Sequence, residues 1–280
     1  MIFRARQVTL TFPRPALVMG IINVTPDSFY DGGKFLDPAA AVAHGLELIA
    51  QGAEILDVGG DSSRPGSVPA TETEELARVI PVIESLAGQT DVPLSIDTTK
   101  PEVARAALAA GASIVNDVAA HREDTNLWRI VVDYRAGYVC MHALETSPAK
   151  SSVDPGNRDA IVQVHRFFSD RLGRMISAGM VADQVIFDVG IGFGKSVEDN
   201  LRLLGGLAGF VGENRPLLLG VSRKSFIGKV TGAELNQRLP ASLACASMAI
   251  AAGVHIIRTH DVAATVQAVR MTEAILAHRK

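Results

Sequence analysis

ALVMGIINVTPDSFYDGGKFLDPAAAVAHGLELIAQGAEILDVGG (residues 16–60) is the stretch that decides the fold. It opens on an apolar run, ALVMGIIN, too short for a helix and too uniformly apolar for a surface strand. A polar loop with Pro26 and the pair Gly32-Gly33 follows. Then comes a helical stretch, with Asp37 as N-cap, Pro38 at the first helical position and Gly52 near the end. A second apolar run, EILDVGG, closes the unit. Strand, helix, strand in this order is a parallel crossover.

The same grammar repeats along the chain. Further strand candidates are PLSIDT, SIVNDV, GYVCMH, VIFDVG, PLLLGVS and VHIIRTH. KPEVARAALAAGA repeats the helix signals with Pro101 and Gly111. Eight strand–helix units imply a (β/α)8 TIM barrel, one α/β domain over residues 1–280. RQVTLTF adds an alternating N-terminal strand, a short β extension within residues 1–15 that caps the bottom of the barrel. An open doubly wound sheet is the structural rival, and it seldom uses eight such even units.

Bulk properties narrow the function classes. The chain has 27 basic and 30 acidic residues, so neither a nucleic-acid nor a membrane partner is implied. No apolar run reaches the length of a membrane span. Arg4, Arg6 and Arg14 break the N-terminus as a signal peptide. The two cysteines, Cys140 and Cys245, read as reduced, buried thiols without a zinc pattern, and a cytoplasmic location is the expectation.

In such a barrel, chemistry sits where the strands end. Those ends carry Asn23, Asp61 to Pro65, Asp97, Asn116-Asp117, Met141-His142, Asp188, Ser222 to Ser225 and Arg258 to Asp261. Asp61 and Asp117 can equally cap the next helix. Asp97 is harder to read so, because Thr98 or Thr99 can cap the helix that starts at Pro101.

Asp97, Asn116 and Asp188 come from separate strands and form a hydrogen-bonding cage for a flat, nitrogen-rich ring. A carboxylate accepts two parallel N–H bonds from an amino-pyrimidine edge, and an asparagine both donates and accepts. Lys224 reaches a ring carbonyl. Arg64, Lys224, Arg258 and His260 form a cationic set suited to a polyphosphate. DVGIGFGKS misses a phosphate-binding Gly-rich loop by one place, since Val189 stands at the first glycine position. Its alternating glycines let the loop pass close to a ligand. Phe193 lies against a second aromatic substrate or packs in the core; the residues favour neither.

Taken together, MGIINVTPDSFYDGG, SSRPGS, SIDTTKPEVA, IVNDV, GIGFGK, GVSRKSFIG and IIRTHDV resemble the dihydropteroate synthase family over essentially the whole chain. The resemblance implies a transferase that joins 4-aminobenzoate to a dihydropterin methyl diphosphate. It releases pyrophosphate and makes 7,8-dihydropteroate for folate synthesis. It implies that Asn23 binds Mg²⁺ on the diphosphate, under a loop through Asp27, Ser28 and Phe29. Asp97, Asn116, Asp188 and Lys224 would hold the pterin, and Ser63, Arg64, Arg258 and His260 the diphosphate. Pro65, Phe193 and Ser225 would form the aminobenzoate pocket. Asp97, Lys224, Arg258 and His260 would carry the catalysis of an SN1-like substitution, so removing Asp97 or Arg258 should damage turnover more than folding. A homodimer packed through late barrel helices is also implied.

Three departures stand out: GGDSSRPG with Ser63 where the family commonly has threonine, Val189 for a proline, and ALETSP after His142. Those after Gly60 and His142 lie near substrate-covering loops and imply altered sulfonamide sensitivity. A corrinoid-dependent methyltransferase barrel would share the cage without needing the 23–29 loop, Arg64, or the Arg258 and His260 pair. A paralogue that binds a pterin without turning it over is the reading from another class.

Overall fold

The structure, a computed structural model, describes residues 1–25, 37–61, 68–122, 124–144 and 159–279. Ser63, Arg64, Pro65, Asp27, Ser28, Phe29 and most of the segment after His142 lie outside these residues.

A hairpin of β1 (Ile2–Ala5) and β2 (Val8–Thr11) precedes the barrel. Eight strands then close on themselves: β3 (Leu17–Asn23), β4 (Ile55–Gly59), β5 (Leu94–Asp97), β6 (Ile114–Asp117), β7 (Gly137–Met141), β8 (Val185–Asp188), β9 (Leu217–Gly220) and β10 (Ile256–Thr259). Every neighbouring pair is parallel, including β10 with β3, so no edge is left open. The helices between them are α1 (Pro38–Ala50), α2 (Glu72–Ala87), α3 (Pro101–Ala110), α4 (Thr125–Asp133), α5 (Ala160–Ser177), α6 (Val197–Gly205), α7 (Leu207–Val211), α8 (Ser225–Thr231) and α9 (Leu239–Ala251), with α10 (Val262–Ala277) last. The TIM barrel expected from the sequence is the fold observed. Among the described residues, no helix is long and apolar enough to cross a membrane.

Local signals act as expected at several helix starts. Asp37 accepts from the Ala39 N–H at 3.1 Å and Pro38 opens α1. Thr71 and Glu74 form a reciprocal capping box on α2. Neither Asp61 nor Asp97 caps the following helix. Thr98 Oγ1 accepts from the Lys100 N–H at 3.2 Å just before α3.

Two apolar layers result from the period of two along each strand. One side of the strands packs on the helices, with Trp128, Tyr138, Phe168, Phe187 and Phe210 among its largest side chains. The other side points into the barrel: Leu17, Met19, Ile55, Ile114, Val139, Ile186, Leu218 and Ile256 fill its lower interior. Phe3, Ala5 and Phe12 of the hairpin join this inner cluster and close the bottom. Gly137 makes room for them, since a Cβ there would collide with the Phe3 ring.

The N-terminal extension therefore differs from the sequence reading in one respect. It is two antiparallel strands, not one. The turn between them holds Arg6 at φ +55°, a conformation a bulky side chain rarely adopts. Arg6 Nη1 donates to the carbonyls of Leu108 and Ala112, both at 2.7 Å, and these long-range bonds hold the turn on the barrel. Cys245 also differs: it is half-buried, whereas Cys140 is fully buried.

Candidate active site

Counting upward by twos from the apolar inner layer leads directly to polar groups. Ile55 is followed on the same face by Asp57 and Gly59, and Ile256 by Arg258. Ile114 is followed by Asn116, Ile186 by Asp188, and Leu218 by Gly220. Register places Asp97 between Gly59 and Asn116 on neighbouring strands. The barrel is thus hydrocarbon below and hydrogen-bonding above.

Arg258 is the centre of this upper layer. Its Nε donates to Asp57 Oδ2 and its Nη2 to Asp97 Oδ2, each at 2.6 Å. Asn116 Nδ2 donates to the same Asp57 oxygen at 2.9 Å. Asp57 is fully buried, whereas the Arg258 and Asp97 side chains each keep 20% of their surface open. Burial pushes the Asp97 carboxyl up to about 7, against the downward pull of Arg258. Arg258 itself is raised by the Asp57 and Asp97 charges, which outweigh the effect of burial.

Across the mouth, Asp188 Oδ1 accepts from the Gly190 N–H at 2.7 Å. Burial raises Asp188, while Lys224 and the Gly190 N–H lower it. Lys224 precedes α8, and its ammonium donates to the Ile191 carbonyl and stands 4.7 Å from the centroid of the Phe193 ring. Burial brings Lys224 down to about 8, so its charge is poised rather than fixed. Gly220 lies beside both Lys224 and Arg258, and its missing side chain keeps the space between them open.

The glycine loop has a backbone reason for its composition beside the one expected. Gly190, Gly192 and Gly194 all have positive φ, of 66°, 86° and 68°. A Cβ at Gly190 would strike the carbonyl of His142, and one at Gly194 the carbonyl of Leu144. The close approach is to the chain leaving β7. Lys195 then ties the two loops together, donating to the carbonyls of His142 and Gly190, both at 2.8 Å. Burial brings this lysine down to about 7.

The remaining sequence candidates fall around this core. Asn23 ends β3, half-buried. Its register partner is Gly59. His260 Nδ1 lies 3.0 Å from Ser222 Oγ, joining the ends of β9 and β10. Arg223 strengthens the same junction by donating from Nε to Asp261 Oδ2 at 2.6 Å. Ser225 is exposed at the start of α8. Asp61 accepts from the Ala70 N–H at 3.0 Å and from Lys100 at 2.9 Å, so it fastens the base of its loop. Asp117 takes the Ala119 N–H at 2.8 Å and the Tyr138 hydroxyl at 2.5 Å, on the helix side of the strand. Two functional-looking residues escaped the sequence reading. Asp57 lies inside a strand rather than at its end, and Lys195 was read only as part of a glycine loop.

A family model described as "Pterin binding enzyme" matches residues 19–260. The chain belongs to the pterin-binding enzyme family. It is 43% identical over 264 residues to the dihydropteroate synthase of Escherichia coli (strain K12), covering 94% of this chain and 93% of that one. A solved dihydropteroate synthase of Xanthomonas albilineans with 4-aminobenzoic acid superposes with a TM-score of 0.90 at 45% identity, over 99% of both chains. The same organism's enzyme in complex with 7,8-dihydropteroate superposes at 0.87 with 44% identity over the full length of both. Pterin-binding relatives thus share the whole barrel, including every strand that contributes to the polar layer.

Proposed function

We propose that this chain is a dihydropteroate synthase, condensing a dihydropterin methyl diphosphate with 4-aminobenzoate to give 7,8-dihydropteroate and pyrophosphate. The observation that carries the reading is the upper barrel layer, where Asp97, Asn116, Asp188, Lys224 and Arg258 surround one opening above a sealed apolar floor. The pterin's amino-pyrimidine edge supplies N–H groups for the carboxylates, and its carbonyl accepts from Lys224. Asn116 adds one donor and one acceptor. Phe193, beneath the Lys224 ammonium, presents an aromatic wall to the arylamine, with Ser225 at the rim near its carboxylate.

The bond that breaks joins the pterin methylene carbon to the diphosphate oxygen, and the electron pair leaves with pyrophosphate. The electron-rich dihydropterin ring supports the cationic carbon, and ionised Asp97 stabilises it electrostatically. The neutral arylamine nitrogen then bonds to that carbon and sheds a proton to solvent. His260 and Arg258 face the developing charge on the leaving group, with Ser63 and Arg64 assigned to the same role by resemblance. Pro65 is assigned to the aminobenzoate pocket in the same way.

The residues present fit Mg²⁺ as the metal. A hard cation prefers oxygen, and Mg²⁺ keeps several waters while binding substrate phosphates. The amide oxygen of Asn23 offers one such ligand. The substrate's phosphate oxygens would supply further ligands of the same hard type. When bound, the ion neutralises charge on the departing diphosphate. Cys140 and Cys245 are both free thiols, which supports a cytoplasmic setting, to be checked by cell fractionation.

Purified protein is expected to release pyrophosphate from the pterin diphosphate only when 4-aminobenzoate is added, with dihydropteroate identified by mass. Pterin binding without aminobenzoate-dependent release would instead support a binding-only protein. Sulfonamides, being arylamine analogues, are expected to compete with aminobenzoate in this assay. The degree of competition reads out the changed loops after Gly60 and His142.

One surface supports the proposal of a homodimer. Met248 on α9 and Met271 and Ile275 on α10 are 68%, 62% and 53% exposed, an apolar face on two adjacent late helices. Met271→Asp should convert a dimer into a 29.6 kDa monomer in sedimentation. A wild-type chain that already sediments as a monomer would exclude this arrangement.

A further inference from the structure

We infer that Asp57 is a positioning residue that presets the donor and acceptor pattern with which the barrel mouth receives the pterin. The inference rests on the function proposed above. Asp57 is the deepest charged side chain of the polar layer. It sits on β4 between Ile21 and Ser95 in register, one inward position above Ile55. It has no exposed surface and no part of it reaches the mouth.

Its single oxygen Oδ2 receives both Asn116 Nδ2 and Arg258 Nε, while Oδ1 has no hydrogen-bond partner among the described residues. An ionised carboxylate only accepts, so Asn116 must turn its nitrogen toward Asp57. That choice fixes which way the amide lies. It leaves the Asn116 oxygen and one remaining N–H for a ligand, in one order and not the reverse. A rotated amide would offer the opposite pattern to the same ring edge.

Arg258 is constrained in the same way. With Nε on Asp57 and Nη2 on Asp97, the planar fork is held at two separate points. Asp57 therefore sets the plane of the guanidinium, and through it the orientation of the Asp97 carboxylate. Two groups that meet the pterin and one that faces its diphosphate take their geometry from a residue that touches neither. A purely structural role accounts poorly for this arrangement. A buried ion pair is seldom better for stability than apolar residues of the same volume, and the neighbouring layer below is filled with hydrocarbon.

The test is Asp57→Asn, a change of charge and of acceptor capacity at nearly constant volume. The dissociation constant for 6-hydroxymethyl-7,8-dihydropterin and the KM for the pterin diphosphate are expected to rise about 10–100-fold. The KM for 4-aminobenzoate should stay within about twofold and the melting temperature within a few degrees. Asn116→Ala should weaken pterin binding by itself. Because Asp57 acts partly through Asn116, the double variant should lose clearly less than the product of the two single losses.

Unchanged pterin affinity in Asp57→Asn would overturn the inference, as would single losses that multiply in full. Asp57→Asn and Asp57→Ser proteins that both fail to fold would also overturn it, by making Asp57 a requirement of the barrel and not of its ligand pattern. A wild-type protein that binds no pterin is a separate result, and it sinks the proposed function instead.

Discussion

Asp97→Asn is expected to lower kcat/KM for the pterin diphosphate about 10²–10³-fold, the scale of losing one preorganised electrostatic group. The melting temperature should move by only a few degrees. The two expectations have different origins. In the proposed reaction, activity depends on an acceptor-only carboxylate at the end of β5, able to take two parallel N–H bonds and to face a cationic carbon. An amide accepts with one atom and carries no charge. Folding is spared because Arg258 keeps a second carboxylate, Asp57, at 2.6 Å. The buried cation is never left alone.

The same residue gives a pH signature. Burial raises Asp97 to about 7, with the Asp57, Glu75 and Asp117 charges adding to the rise and Arg258 opposing it. A carboxyl with a raised pKa is protonated below that value and ionised above it. Binding of 6-hydroxymethyl-7,8-dihydropterin, which has no phosphate to titrate in this range, should therefore strengthen from about pH 6 to about pH 8. Calorimetry on Asp97→Asn should lose this rise and show only a weakening toward pH 8, where the Lys224 ammonium, brought down to about 8 by burial, begins to lose its proton. A flat wild-type profile, or normal turnover in the variant, would remove Asp97 from its assigned role.

The barrel was legible in the sequence because closure into a parallel sheet demands buried strands, and buried strands read as short apolar runs. Each of the eight runs contains an observed strand, with ends shifted by a residue or two where the ladder stops. The hairpin was read as one strand for a physical reason. Its turn at Arg6 carries no glycine, asparagine or proline, and is held by bonds to Leu108 and Ala112 far along the chain. No local reading finds such support.

The polar layer was legible at strand ends and opaque within strands. Asp97, Asn116, Asp188 and Arg258 stand where polar residues interrupt apolar runs. Asp57 also interrupts one, in EILDVGG, but it lies before the glycines that mark the strand's end. Counting by twos from Gly59 would have placed it inside the barrel, and a charged residue there is itself a functional signal. The glycines of the β8 loop have a reason that the sequence did not show. Their pattern suggested a ligand, whereas positive φ and the neighbouring carbonyls of His142 and Leu144 account for two of them.

Arg258→Met is expected to abolish turnover and to cost about 3–5 kcal/mol of stability in urea unfolding, the scale for stripping one partner from a buried ion cluster. Turnover still suffers more than folding, as the sequence implies, but folding bears a cost of its own. The methionine fills similar space, so the cost is electrostatic. It leaves fully buried Asp57 and mostly buried Asp97 facing each other without a cation. Arg258→Lys restores the charge but not the fork, since one ammonium cannot reproduce two rigidly spaced donors. It should recover most of the stability and little of the activity. Pairing Arg258→Met with Asp57→Asn removes one uncompensated carboxylate, and should return stability without returning turnover. If Arg258→Met alone unfolds at the wild-type urea concentration, the ion cluster adds no stability to the free protein. The charge balance assigned to this layer would then be wrong, and Arg258 would act only once the diphosphate is bound.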